Sequence, residues 1–269
     1  MKNIIFDGLE KFGLSSVVEK SQVIFEESSN DKQRPGQKKK AAEFNIDDYI
    51  YEKKFTCPVC EKKFMATIVR DSKVRLLSIE YDLRPIYTPV EPLFYDIVVC
   101  DTCGYTAVKN FFSKITNRQS DLIRSEISPN FKPVPYPKVP KIDMAIERYK
   151  LALLCTVVKQ GSNGEKAYLC MKLTWLHRIK GNDAKNEKKF AALAIQGFAS
   201  ALLEERLPIM GMEESTILYV IAAFSKFVGD NRNALKILSK VLTSRRSSDK
   251  IKDRARSLRE EIAAAKPAE

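Results

Sequence analysis

"VVCDTCGYTAVKNFF", residues 98–112, carries the second of two Cys-x-x-Cys pairs, and the first lies in "FTCPVCEKKF", residues 55–64. Four of the chain's six cysteines therefore sit in matched pairs, beside a single histidine. A Cys-x-x-Cys turn aims two sulfurs at one point, and two such turns complete a tetrahedron about a metal at Zn–S distances of about 2.3 Å. Cys57, Cys60, Cys100 and Cys103 are accordingly read as ligands of one structural zinc, with no position left open for water or substrate. Gly104, directly after Cys103, supplies the positive φ that lets backbone N–H groups turn toward the thiolates. Glu61 holds the same place in the first pair, which predicts a less regular turn there. The rival readings are a redox dithiol and two unrelated turns in a core. A thioredoxin-type pair belongs at the helix start of a βαβ unit, and the pattern around these cysteines is not of that kind.

Outward from the pairs, the 39 residues from 61 to 99 exceed the interval of a compact ribbon and leave room for two strands and a loop, "EYDLRPIYTPVEP". Three stretches have the short, β-branched or aromatic character of strands: residues 64–70, 74–79 and 93–99. After the second pair, "TAVKNFFSKI" and "SDLIRSEI" read as helices. Five prolines then fall between 129 and 140 and mark a boundary. Ahead of the pairs, residues 3–14 suggest a short helix with Ile4, Ile5, Leu9 and Phe12 as its apolar side, weakened by Gly8 and Gly13. Residues 26–43 have almost no apolar side chain to repay ordering, and the expectation is a disordered linker. The division that follows is a short helical segment at 1–25, a linker at 26–50, the Cys-bearing domain with trailing helices at 51–128, a Pro-rich linker at 129–140, and a helical domain at 141–265.

The run from Cys57 to Lys132 resembles the bacterial family numbered 2225 among the domains of unknown function. The resemblance rests on the Cys57/Cys60 knuckle, Lys73-Val74-Arg75-Leu76, Asp82-Leu83-Arg84-Pro85 followed by Tyr87, Pro92-Leu93 with Tyr95-Asp96, and Cys100 to Tyr105. It covers roughly residues 1 to 130, with the remainder a helical tail of similar style. Asp101-Thr102 departs from the Pro-His of family members, which leaves all-Cys ligation untouched. The family implies a zinc-ribbon-like domain followed by tetratricopeptide-like helices, and it implies no activity. The fold class expected is α+β: a small zinc-ribbon-like β domain, then an all-α tetratricopeptide-like domain.

In the helical half, a small residue followed four positions later by a large one recurs at Ala145/Tyr149, Ala194/Phe198 and Ala234/Leu238, as in the second helix of tetratricopeptide units. The spacings exceed the standard repeat, with an insertion placed at 180–189; an ordinary helical bundle is the alternative. Stacked helix pairs usually grip a peptide or protein, so the leading expectation is a non-catalytic adaptor with a protein or peptide partner. "FDGLEKFGL" could dock on its own helical groove or on another chain.

A net charge of +12, concentrated in residues 141–269 with 24 Lys/Arg against 15 Asp/Glu, favours an acidic partner and keeps nucleic acid as the second reading. Its candidate patch is Arg245, Arg246, Arg254 and Arg256 on the last helix. A third reading is an enzyme with its site in the 80–96 loop, where Asp82, Arg84, Tyr87, Glu91, Tyr95 and Asp96 concentrate; internal ion pairs fixing the insertion are preferred. His177 is read as structural or exposed, and Cys155 and Cys170 as core residues on apolar helix faces. "GSNGEK", residues 161–166, is read as a turn. No run approaches the ~18 apolar residues of a membrane span. Asp7 and Glu10 stand where a secretory segment must be uncharged, so the expected compartment is the cytosol, where paired cysteines are more often metal ligands than disulfides.

Overall fold

The computed structural model describes residues 4–20 and 45–264. Small antiparallel sheets come first and helices follow, an α+β fold. The expected linker at 26–50 lies mostly outside the described residues; its end, Ile46–Asp48, is a 3-10 turn leading into the first strand.

Three two-stranded sheets make up the front module. Strands β1 (Ile50–Thr56) and β2 (Lys63–Val69) pair with Phe55 opposite Phe64, and the first Cys pair is the turn between them. Strands β3 (Arg75–Ile79) and β4 (Pro85–Thr88) form a separate hairpin. Strands β5 (Ile97–Val99) and β6 (Thr106–Val108) pair with Val99 opposite Thr106, and the second Cys pair is their turn. Three expectations are corrected here. The interval between the pairs holds more strands than two, because β4 runs through the string read as loop. "TAVKNFF" is not an α-helix: Thr106, Ala107 and Val108 are all buried and β-branched or small, and pairing with β5 overrides local helix preference, leaving only a 3-10 turn at Lys109–Phe111. Residues 93–95, read as strand, belong to the 3-10 turn Pro92–Tyr95, whose proline stands at the helix start and whose Glu91 side chain caps Leu93 N.

The N-terminal segment is also corrected. Gly8 and Gly13 adopt φ of 89° and 77°, which breaks the expected helix into 3-10 turns at Ile4–Phe6 and Glu10–Phe12, followed by α1 (Ser15–Lys20). Ile5, Leu9 and Phe12 are nonetheless buried as the apolar side. This segment docks on its own chain: Lys150 donates to the Asp7 carbonyl at 3.0 Å, Lys11 pairs with Glu147, and the Lys132 amide donates to the Phe12 carbonyl at 2.8 Å.

Helix α2 (Asn117–Glu126) starts at a capping box of Thr116 and Gln119. Then come α3 (Ile142–Val158), α4 (Asn163–Lys180), α5 (Ala184–Glu204), α6 (Glu214–Val228), α7 (Asn231–Thr243) and α8 (Asp249–Ala264), each packed chiefly on its chain neighbours. Only residues 181–183 separate α4 from α5, so most of the insertion placed at 180–189 is helix. Ser162 caps α4, so the expected turn at 161–166 is confined to its first residues. Ala145, Tyr149, Ala194, Phe198, Ala234 and Leu238 are all buried.

Helix α3 is common property. It packs on β5, β6 and the N-terminal turns on one side and on α4 on the other, and one apolar cluster runs from Leu9 and Cys57 through Leu154 to Phe224. The Pro-rich stretch at 129–140 is therefore not a gap in the packing. Tyr136 donates to the Phe94 carbonyl at 2.7 Å and Tyr95 to the Lys138 carbonyl at 2.6 Å, which straps it along the front module. A second cluster joins α6, α7 and α8.

Candidate metal centre

Each Cys pair forms the turn of a hairpin, and the two turns share one backbone shape. The Glu61 amide donates to the Cys57 carbonyl at 2.9 Å and the Gly104 amide to the Cys100 carbonyl at 3.0 Å. The Cys57 amide donates to Lys62 at 3.0 Å, and the Cys100 amide to Tyr105 at 2.9 Å. Glu61 takes φ 61° and Gly104 φ 76°, so the first knuckle is as regular as the second, against expectation: the loop bonds impose the left-handed residue even without glycine.

The knuckles face each other. All four Sγ atoms lie within 4.8 Å of one another, with Cys57 to Cys103 at 3.5 Å and Cys60 to Cys100 at 3.6 Å. Tetrahedral ligation at about 2.3 Å places sulfurs roughly 3.8 Å apart, whereas a disulfide brings them to about 2.05 Å. The spacing is that of a shared ion, and the four cysteines could hold a metal. Cys57, Cys100 and Cys103 are buried and Cys60 is partly exposed.

Crowding makes the thiols unequal. Contacts with Cys103 and Cys57 pull the Cys100 thiol down, while the Cys100 contact pushes Cys57 up, and Cys100 and Cys57 together push Cys103 up. Four thiolates brought this close repel one another, and a cation among them offsets that repulsion. The surroundings hold the knuckles in place. Arg124 of α2 donates to the Val59 carbonyl at 2.9 Å, Ser128 to the Cys103 carbonyl at 3.0 Å, and Cys155 of α3 to the Gly104 carbonyl at 3.6 Å. Phe55, Phe64, Tyr105 and Phe112 pack ring against ring in the apolar cluster that also contains the cysteines.

A Cβ on Gly104 would meet the Phe131 ring at 2.5 Å. Gly104→Ala is expected to cost about 2–4 kcal/mol, from left-handed strain and displacement of that ring. Glu61→Gly is expected to change stability by less than about 1 kcal/mol, since relief of strain is offset by a looser unfolded chain. Thermal melts of the metal-loaded chain check both, and equal effects would contradict the assignment.

The other candidate residues make contacts in several separate places. Asp82, at the tip of the β3–β4 hairpin, is fully buried (0% exposed) against the helices, where it accepts from Trp175 Nε1 at 3.1 Å and pairs with Arg178 Nη2 at 2.8 Å. Arg178 also binds Glu80 and Glu187, each at 2.7 Å. Burial works against its charge, but Asp82, Tyr81 and Glu187 together outweigh it and its pKa is raised. Tyr219 of α6 donates to the Tyr81 carbonyl at 2.6 Å, and Arg254 of α8 to the Glu80 carbonyl at 3.1 Å. Arg84 pairs with Glu80 and Glu91 at 3.3 and 3.5 Å. Tyr87 is half-buried in β4, Tyr95 is committed to the strap, and the Asp96 carbonyl accepts from Lys109 at 2.7 Å. The four arginines of the expected patch diverge: Arg245 and Arg246 are exposed, Arg254 turns inward to the hairpin, and Arg256 pairs with Asp253. Trp175, Arg178 and Tyr219 carry the tip contacts, and no local pattern marks them, because their partners lie 93 or more residues away.

His177 is buried, bonds Asp183 at 2.7 Å through Nδ1 and stacks on Phe190; Cys155 and Cys170 are core residues. Burial lowers the His177 pKa, with Lys150 and Lys180 acting the same way and Asp183 opposing. The unfolded chain then takes up this proton first as pH falls below about 6.5, so the stability due to neutral His177 is lost in that range. Urea unfolding at pH 7.5 and 5.5 is expected to show a smaller pH-dependent loss in His177→Gln than in the parent; an unchanged loss would refute this.

A family model described as an uncharacterized protein conserved in bacteria (DUF2225) matches residues 50–262, reaching through the helical half and beginning after the N-terminal segment. No curated protein and no solved structure matches. Among the described residues, no helix is long and apolar enough to cross a membrane.

Proposed function

The chain belongs to the bacterial DUF2225 family, and from that premise we propose that it is a cytosolic, non-catalytic adaptor. One zinc ion on Cys57, Cys60, Cys100 and Cys103 fixes the front module, and the tetratricopeptide-like helices α3–α8 bind a protein or peptide. Zinc suits the donor set, since four thiolates in tetrahedral array are ligands for that ion or for iron–sulfur chemistry, and one closed site per chain matches a structural role.

One observation carries the binding half of the reading. The helices already hold a non-helical segment, the hairpin tip, through side-chain donors on α4, α6 and α8 that take its carboxylates and carbonyls. A surface that recognises extended chain in this way is what peptide-binding helical arrays present. Cross-linking and mass spectrometry of full-length protein with its captured partner tests it. Partner cross-links on α3–α8 are expected. Cross-links confined to the front module would contradict it.

Nucleic acid is kept as a second reading because Arg245 and Arg246 remain exposed in the basic C-terminal region. Binding that falls steeply with salt and is lost in an Arg245→Ala/Arg246→Ala double variant would favour it over the adaptor.

A further inference from the structure

Among the described residues, the β3–β4 hairpin is hydrogen-bonded to no other strand. Leu76 and Leu77 on its outer strand are 47% and 61% exposed, and two-stranded hairpins are marginal by themselves. What secures it to the helices is its tip. There the helical face offers donors: Arg178 and Trp175 N–H on α4, Tyr219 O–H on α6 and Arg254 on α8. The tip offers acceptors: the Glu80 and Asp82 carboxylates and the Glu80 and Tyr81 carbonyls. The Tyr81 ring lies over Arg178, 5.2 Å from the guanidinium carbon, and Tyr81 and Leu83 pack on the α6–α8 cluster.

We infer that this face is the binding site of the adaptor and that its partner presents an acidic extended segment of the Glu-aromatic-Asp kind, for which the chain's own hairpin tip is an internal stand-in that the partner displaces. The inference rests on the adaptor reading and narrows it. Glu187 of α5 sits beside Arg178 on this face, but the hydrogen bonds from the helices to the tip are donated by the helices, which matches carboxylates and main-chain carbonyls together; a basic peptide would be repelled by Arg178 and Arg254. Carbonyl contacts at successive residues identify a polypeptide as the occupant. The tip competes at the high effective concentration of a tethered ligand, on the order of millimolar, so the free protein is held closed.

The test uses full-length protein and a labelled synthetic peptide of residues 78–87, "SIEYDLRPIY". Trp175 is the only tryptophan in the chain, and its indole N–H reports occupancy of the face directly. In a variant whose residues 80–84 are replaced by a glycine–serine loop, the peptide is expected to bind at least about tenfold more tightly than to the parent and to restore parental Trp175 emission. A peptide with Ala in place of Asp82 is expected to bind at least about tenfold more weakly. The inference is overturned if the loop-replaced variant keeps its helical circular dichroism and its metal yet ignores the peptide, or if the Ala peptide binds equally well. It is overturned too if the variant unfolds, for the tip is then a permanent part of the core. If the peptide fails while partner cross-links still fall on α3–α8, the acidic-segment inference alone is lost; cross-links elsewhere remove the adaptor reading.

Discussion

Cys100→Ser is expected to reduce bound metal from one ion per chain to nearly none and to unfold the front module. Cys100 is fully buried, contacts Cys60 and stands at the second knuckle, so its loss removes a ligand and leaves three thiols crowded without the ion that balances them. Structural zinc contributes roughly 10–16 kcal/mol of apparent free energy in small peptides. Two-stranded sheets are marginal by themselves, so the ion is expected to be needed in addition to the apolar core they share with α3. The damage is expected to spread, because β5, β6 and α3 share one core, and thermal melting should fall for the helices as well. Cys170→Ala, in the core of α4 but apart from the knuckles, is the control and should retain the metal. Parental metal content in Cys100→Ser would remove the cage from the account.

The second large effect is expected from Arg178→Met. It leaves Asp82 fully buried without its cation, and removing one partner of a buried pair costs about 3–5 kcal/mol. Release of the tip into water caps that cost. The expected signature is therefore a shift of Trp175 emission and faster amide exchange across 75–88, with metal content unchanged. Arg178→Lys should behave similarly, since one ammonium cannot reproduce the fork that reaches Glu80, Asp82 and Glu187. Unchanged exchange in the hairpin would show that the ion pairs do not secure it.

How much of this is legible in sequence depends on how local the cause is. The Cys knuckles are specified by residues within a few positions, and Gly104 marks the turn that its hydrogen bonds require. The same locality makes the helices readable: Ala234 and Leu238 lie one turn apart on one face. Thr106-Ala107-Val108 misleads because its structure is decided by pairing with β5. The N-terminal turns escape periodicity because two glycines at positive φ break a helix while its apolar residues still reach the core. The hairpin's role is invisible for a stronger reason: Asp82 meets Trp175 across 93 residues and Glu80 meets Arg254 across 174, and nothing near either end anticipates the meeting. Asp82 reads as a charged loop residue until the helices that bury it are in place.

X-ray absorption at the zinc edge on purified full-length protein, together with metal stoichiometry, tests the central claim most directly. One zinc per chain in a shell of four sulfurs at about 2.3 Å is the predicted result. A mixed sulfur and nitrogen or oxygen shell, another metal, or metal-free protein with Cys57–Cys60 and Cys100–Cys103 oxidised would contradict it.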